Sequence, residues 1–226
     1  MKVSVIIPVY NEEKYIAEIL KRVLAQPLVD EIIIVNDGST DATSDRLKTI
    51  KSDKISIINK EKNEGKGTAV RDALKLVSGD VALIQDADLE YSPAEYPGLL
   101  EPFKDPKVQV VYGSRIRKQL KEYSYLTYLL GGLFLTTITN LLYFSKLTDE
   151  PTGYKVFRTG ILKNMDLKSK GFEFCPEVTA KVLKQGIEIH EVPVSYAPRK
   201  FEEGKKIRPK DGIIAIWTLI KYRFIK

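Results

Sequence analysis

The chain carries one cysteine, Cys175, and one histidine, His190, in 226 residues. A single cysteine excludes an internal disulfide framework and a cysteine-rich zinc site. Nothing beside Cys175 in the sequence would lower its pKa, so it reads as a packing residue. His190 lies in Ile187-Glu-Ile-His-Glu-Val192, on the face opposite the isoleucines. It reads as an exposed strand residue, and histidine-based acid–base or triad chemistry is disfavoured. No secretory leader is expected, since Met1 runs straight into a strand-like segment, and a cytoplasmic location is expected. Internal repeats and low-complexity linkers are also absent. The apolar run Leu126–Phe144 is 19 residues without a charge but holds four threonines and Asn140. A bilayer span takes about 20 mostly apolar residues. A buried or interfacial helix over 123–146 is therefore expected rather than a span.

Both common phosphate-loop patterns fail at Asn63-Glu-Gly-Lys-Gly-Thr68. No glycine sits five positions before Gly65, and Val70 takes the place of the third glycine of a dinucleotide fingerprint. Lys66 is left as a lysine that either reaches a phosphate or simply faces solvent.

What is present is an ordinary globular composition, 43% hydrophobic and 29% charged, with a net charge of +6. That excludes disorder and collagen. The charge is local. Residues 199–226 hold nine Lys/Arg against three Asp/Glu, and the other 198 residues hold 27 of each sign. A neutral body with a cationic apolar tail disfavours a nucleic-acid binder, which would need a basic face with stacking aromatics.

Strands are predicted at Val3–Val9, Glu31–Asn36, Ile55–Asn59, Val81–Gln85, Val108–Tyr112 and Ile187–Pro193, with a further short element at Tyr154–Arg158. Helices are predicted at Glu12–Gln26, Asp41–Ile50, Gly67–Val77, Ser92–Phe103 (opened by a Ser92/Glu95 capping box), Pro176–Gln185 and Asp211–Phe224. Strand–helix alternation at this spacing implies a doubly wound, mostly parallel α/β sheet whose ligands bind beyond the strands' carboxyl ends. The loops to search are therefore Tyr10–Glu13, Asp37–Thr43, Lys60–Lys66, Asp86–Tyr91 and Gly113–Arg117. Residues 1–198 are expected to form the α/β domain. Residues 199–226 are expected to form a basic loop and an amphipathic helix.

Asp86-Ala-Asp88-Leu-Glu90, directly after a buried strand, is the strongest signal. Two carboxylates flanking one residue suit a divalent cation that neutralises a diphosphate, although the same triplet also makes a helix cap or a solvated turn. Asp37-Gly-Ser-Thr-Asp41 is a good strand–helix turn, and Asp37 is placed to accept from a nucleobase edge. The loop of the tail suits phosphates, and its helix, with Trp217, Tyr222 and Phe224 near basic residues, suits a membrane interface.

Taken together, Val5-Ile-Ile-Pro-Val-Tyr-Asn-Glu12, Val35-Asn-Asp-Gly-Ser-Thr-Asp41, Asn63–Gly67, Asp86–Glu90, Gly113-Ser-Arg115, Asp149-Glu-Pro-Thr-Gly-Tyr-Lys155 and Phe172-Glu-Phe-Cys-Pro-Glu177 resemble the family 2 glycosyltransferases over essentially the whole chain. The resemblance is to their polyprenyl-phosphate hexosyltransferase branch. It implies a Rossmann-like GT-A fold with helices on both faces. It also implies a nucleotide diphosphate sugar donor (UDP- or GDP-linked), a polyprenyl phosphate acceptor, Mg²⁺ or Mn²⁺, and peripheral association with the cytoplasmic face of an anionic membrane. By motif, Pro8, Tyr10, Glu12, Asp37, Lys66, Asp86, Ala87, Arg199 and Lys205 would bind the nucleotide sugar. Asp86, Asp88 and Glu90 would hold the metal. Asp88, Arg115 and Glu177 would be catalytic. One departure is Asn36, where the family often has a second acid. A lipid phosphate is already anionic and needs no strong base. A hydroxyl acceptor would need one, and Asp149, Glu173 and Glu177 are the candidates. The alternatives are a soluble transferase acting on a glycan or protein hydroxyl, and a non-catalytic nucleotide-sugar binding module.

Overall fold

The computed structural model describes residues 1–118, 126–199, 204 and 206–225. Lys205 falls outside them. The chain forms a seven-stranded sheet built from β1 (Val3–Val9), β2 (Glu31–Asn36), β3 (Ile55–Asn59), β4 (Val81–Ile84), β5 (Val110–Ser114), β6 (Lys155–Arg158) and β7 (Ile189–Pro193), in the order β3-β2-β1-β4-β6-β5-β7. β1 pairs in parallel with β2 and β4, β2 with β3, and β5 with β7. Only β6 is reversed, antiparallel to both β4 and β5. The sheet is thus mostly parallel, with one strand that the alternation rule does not foresee.

The central strands are apolar on both faces, and their side chains alternate between two cores. Val3, Val5 and Ile7 join Ile32, Ile34 and Leu83 under α1 (Ile16–Leu24), α2 (Thr43–Thr49) and α4 (Tyr96–Leu100). Ile6, Ile33, Val35, Ala82 and Ile84 face the other way, under α3 (Lys66–Leu74), α6 (Thr159–Lys163) and α7 (Phe174–Lys184). Helices therefore cover both faces. A third cluster joins α7 to α5 (Leu126–Tyr143) and α8 (Pro209–Phe224) through Leu135, Tyr143, Ala180, Ala215, Leu219 and Tyr222.

Boundaries depart from expectation for local reasons. The segment 93–104 is a broken run of 3-10 and α turns, because Pro97 and Pro102 remove donors a continuous helix needs. Ser92 accepts from the Ala94 N–H, but Glu95 does not return the capping-box bond; it pairs with Lys118. α1 begins only at Ile16, because Tyr10–Tyr15 forms a turn with Asn11 in the left-handed region at φ 49°.

Candidate active site

β1, β2, β4 and β5 share one direction, so the loops after them meet at one edge of the sheet. β6 runs the other way, so the loop before it, Asp149–Tyr154, reaches the same edge. Two cationic stations are built there.

The first station surrounds the β4 loop. The Arg199 guanidinium spans three carboxylates. Nη1 is 3.0 Å from Glu12 Oε2, Nη2 is 2.9 Å from Asp88 Oδ2, and Nε is 3.6 Å from Glu90 Oε1. Lys206 Nζ adds a contact to Glu12 Oε1 at 2.6 Å and donates to the Tyr10 carbonyl, lying over the Tyr10 ring. Lys66 pairs with Asp86. Burial is the largest influence and opposes the Lys66 charge, but Asp86, Cys175 and Asp88 together raise the pKa. Leu89 takes a left-handed φ of 62°, rare for a bulky residue, and turns the Glu90 N–H onto Asp88 Oδ1 at 3.1 Å. Burial first, then the neighbouring Asp86 and Glu90 carboxylates, push the Asp88 carboxyl up to about 7, against the pull of Arg199.

The second station follows β5. Asp149 Oδ1 is 2.7 Å from Arg115 Nη2, and its Oδ2 accepts from Arg115 Nε at 2.8 Å and from the Arg115 backbone N–H at 2.9 Å. Burial is the largest single influence and works against the guanidinium, but Asp149 together with Tyr91 and Tyr196 raises its pKa and holds it charged. Glu191 of β7 fixes this acid in turn. It accepts the Thr148 N–H at 2.9 Å, the Thr148 hydroxyl at 2.9 Å and the Asp149 N–H at 3.0 Å. Arg115 lines a small cleft with Tyr128, Leu129, Gly132 and Leu133 of α5. Tyr196 touches both stations. Its hydroxyl donates to Glu90 Oε2 at 2.8 Å, and its ring lies 5.0 Å from the Arg115 guanidinium.

Several expected residues are placed differently. Asp37 is buried, with its carboxylate accepting the Glu64 and Gly65 N–H groups and pairing with Lys60; it pins the Glu64–Gly65 turn, where Gly65 has φ 97°. Asn36, the departing residue, links β2 to β3 through Asn59. Pro8 is a half-buried β1 residue paired with Val35, and the Ala87 side chain belongs to the first core. Glu177 is not brought to either station as a base. It is buried in α7, accepts the Lys168 and Ser169 N–H groups and pairs with Lys181. Glu173 likewise caps the Lys170 and Gly171 N–H groups. Glu90 does not complete a three-carboxylate metal set. Its oxygens serve Tyr196 and the Arg199 N–H, and among the described residues no group of three His, Cys, Asp or Glu is poised for a metal. Asp86 and Asp88 remain a hard-oxygen pair at one strand end, a donor set that fits one Mg²⁺ or Mn²⁺. Sequence reasoning missed Lys206, Tyr196 and Glu191, none of which lies in a loop after a strand of the first half.

A family model described as Glycosyl transferase family 2 matches residues 4–166. A UDP-N-acetylglucosamine--dolichyl-phosphate N-acetylglucosaminyltransferase of Methanococcus voltae is 33% identical over 213 residues, covering 85% of this chain and 84% of that protein. A dolichol-phosphate mannosyltransferase of Pyrococcus furiosus is 30% identical over 217 residues, covering 91% of this chain and 59% of that one. Glucosyl-3-phosphoglycerate synthase of Mycobacterium tuberculosis, solved with Mn²⁺, UDP and phosphoglyceric acid, superposes with a TM-score of 0.76 at 21% identity, over 100% of this chain and 79% of that one. The likeness to that enzyme is one of fold.

Proposed function

The chain belongs to glycosyl transferase family 2 and is a glycosyltransferase; from that premise we propose that it moves a hexose from a nucleotide diphosphate sugar to a polyprenyl phosphate, with inversion. The observation that carries this reading is Tyr196, which joins two cationic stations side by side. One suits a diphosphate, the other a single phosphate beside the apolar wall of α5.

In this reading Arg199, Lys206 and Lys66 turn from the carboxylates they now neutralise to the donor diphosphate, and Asp86 and Asp88 hold the divalent cation. When bound, that cation supplies charge neutralisation to the departing diphosphate. Tyr10 and Glu12 border the nucleoside end. Arg115, oriented by Asp149, holds the acceptor phosphate. Its oxygen attacks the anomeric carbon from the face opposite the leaving group, the new C–O bond forms, and the old one breaks with its electron pair leaving on the nucleoside diphosphate. No proton has to be removed from a phosphate anion. The commitment of Asp149, Glu173 and Glu177 to other partners supports such an acceptor over a hydroxyl. Residues 1–198 carry the rest of the transfer chemistry, and residues 199–226 add Arg199, Lys206 and the last helix. The relatives' names, dolichyl-phosphate and dolichol-phosphate transferases, support the acceptor class. A lipid acceptor places the reaction at a membrane surface.

The test is a panel of UDP- and GDP-sugars with polyprenyl phosphate and Mg²⁺ or Mn²⁺, reading lipid-linked sugar. Product from at least one donor is expected. Turnover with oligosaccharide acceptors alone would overturn the acceptor, and no product from any donor would overturn the whole reading.

A further inference from the structure

The motifs Asn63–Thr68 and Phe172–Glu177 are distant in the chain and adjacent in the fold, joined by the segment Lys168–Gly171. Its four consecutive backbone N–H groups are all accepted by two acids at the start of α7. Glu177 Oε1 takes the Lys168 N–H at 2.8 Å, and its Oε2 takes the Ser169 N–H at 2.7 Å. Glu173 Oε1 takes both the Lys170 and the Gly171 N–H, each at 3.0 Å. The Lys170 N–H shares a peptide with the Ser169 carbonyl, and the Gly171 N–H shares one with the Lys170 carbonyl. In a trans peptide the two groups point opposite ways. Both carbonyls are therefore turned from Glu173 onto the first turns of α3. The Lys170 carbonyl accepts the Thr68 N–H at 3.1 Å, one of the donors that a helix start leaves unpaired, and the Ser169 carbonyl accepts from Arg71. The contact is backbone on backbone. A Cβ at Gly65 would collide with the Lys170 carbonyl oxygen, and one at Gly67 with the Ser169 carbonyl oxygen. Glycine on either side of Lys66 is what permits so close an approach.

The Lys66 backbone is thus fixed on both sides. Asp37 holds the Glu64 and Gly65 N–H groups before it, and Lys170 holds the Thr68 N–H after it. The side chain is left to reach Asp86. We infer that Glu173 and Glu177 are positioning residues for Lys66. They shape the segment Lys168–Gly171, the segment seats the start of α3, and the Lys66 ammonium is thereby carried to the donor diphosphate. Both acids act through backbone rather than on the substrate. The inference rests on the proposed donor role of Lys66, and the acceptor does not enter it. Glu177 is fully buried and anchored further by Lys181 at 2.7 Å, whereas Glu173 is half-buried. Glu173 is therefore the gentler place to cut the link.

The test is calorimetric titration of the full chain with UDP and with GDP in the presence of Mg²⁺, run as a double-mutant cycle. Lys66→Ala and Glu173→Ala are each expected to weaken binding of the nucleotide that the parent takes, Glu173→Ala by about tenfold. Glu173→Gln should bind nearly as the parent does, because the amide keeps one oxygen and a single oxygen accepts both N–H groups. In the Lys66→Ala background, Glu173→Ala should cost nothing more. Should Glu173→Ala unfold, Arg71→Met cuts the same contact from the α3 side and should show the same lack of additivity. Parental affinity in Glu173→Ala would overturn the inference while leaving the role of Lys66 intact. A loss of the same size in the Lys66→Ala background would also overturn it, since that reports general disorder of the site. Parental affinity in Lys66→Ala would remove Lys66 from the donor site and the inference with it. A parent that binds neither nucleotide would overturn the donor reading as well.

Discussion

Arg199 Nη2 lies 2.9 Å from Asp88 Oδ2, a contact between residues 111 positions apart in the chain. The same guanidinium reaches Glu12, so a tail cation sits among the acids that the proposed metal and diphosphate require. The acidic loop is therefore neutralised from within the chain, and a donor bound as proposed would exchange partners with Arg199.

Replacing Arg199 with Gln leaves Glu12, Asp88 and Glu90 without their shared cation. Removing one partner of a buried ion cluster costs about 3–5 kcal/mol. The variant should melt earlier, and Mg²⁺ or Mn²⁺ should raise its melting temperature more than the parent's, because no guanidinium competes for Asp88. Nucleoside diphosphate affinity should fall. Calorimetry and thermal melts with and without metal check this; an equal metal-induced rise in both proteins would contradict it.

Glu191 governs Arg115 through Asp149. Gln at position 191 offers one acceptor oxygen where the carboxylate presents two, and sets an amide donor against the Thr148 and Asp149 N–H groups. The Glu191→Gln variant should raise the KM for the acceptor about tenfold, or about 1.4 kcal/mol, with donor binding untouched. Steady-state kinetics with each substrate varied in turn separate the two. A matching rise in donor KM would mean general disorder rather than loss of Arg115 positioning.

Gly153 lies against Asp86. A Cβ there would stand 2.8 Å from Asp86 Oδ2 and 2.8 Å from Tyr91 Cε2. The Tyr91 hydroxyl already holds the Gly153 N–H at 2.9 Å, so the loop has little room to retreat. Gly153→Ala should cost about 1–3 kcal/mol of stability by overpacking and displace Asp86. Donor turnover should fall more than the melting temperature alone explains, and a variant with parental turnover would refute the placement.

Glu150 is buried with neither carboxylate oxygen hydrogen-bonded. Burial raises its pKa, against the opposing pull of Lys155. A carboxyl raised in the fold binds its proton more tightly there than in the unfolded chain. Its contribution to stability is therefore greatest at low pH and is lost as pH rises through the folded pKa. Glu150→Gln should thus gain stability relative to the parent as pH rises above the ordinary carboxylate range. Melts from that range upward measure it; a parallel pair of curves would show Glu150 ionised throughout.

The first-half strands were legible because a buried parallel strand needs an uninterrupted β-branched run, as in Glu31–Asn36. β5 was read two residues early, because Val108 is apolar but precedes the ladder. The acidic loop at Asp86–Glu90 was legible from its position after β4, whereas Ala87 was carried over from a motif and proved to be core. Lys206 lies one residue past the lysine named from the motif, Lys205, which lies outside the described residues. Glu177 stood out as an acid in a marked motif, yet its carboxylate holds a turn.

By itself the sequence determined the family, the alternating frame and the loops that could bear chemistry, since these follow from local periodicity and from residue types at strand ends. Which cation meets which carboxylate was decided by tertiary structure. The reversed strand β6 carries Asp149 to the edge where Arg115 emerges, and the tail returns Arg199 to Asp88. Pairings of this range depend on strand order and direction, which no local pattern encodes. The exposed apolar stripe of α5 has the same origin. Leu126–Phe144 reads as one uncharged run, and only its packing against α7 and α8 divides it into a buried stripe and an exposed one.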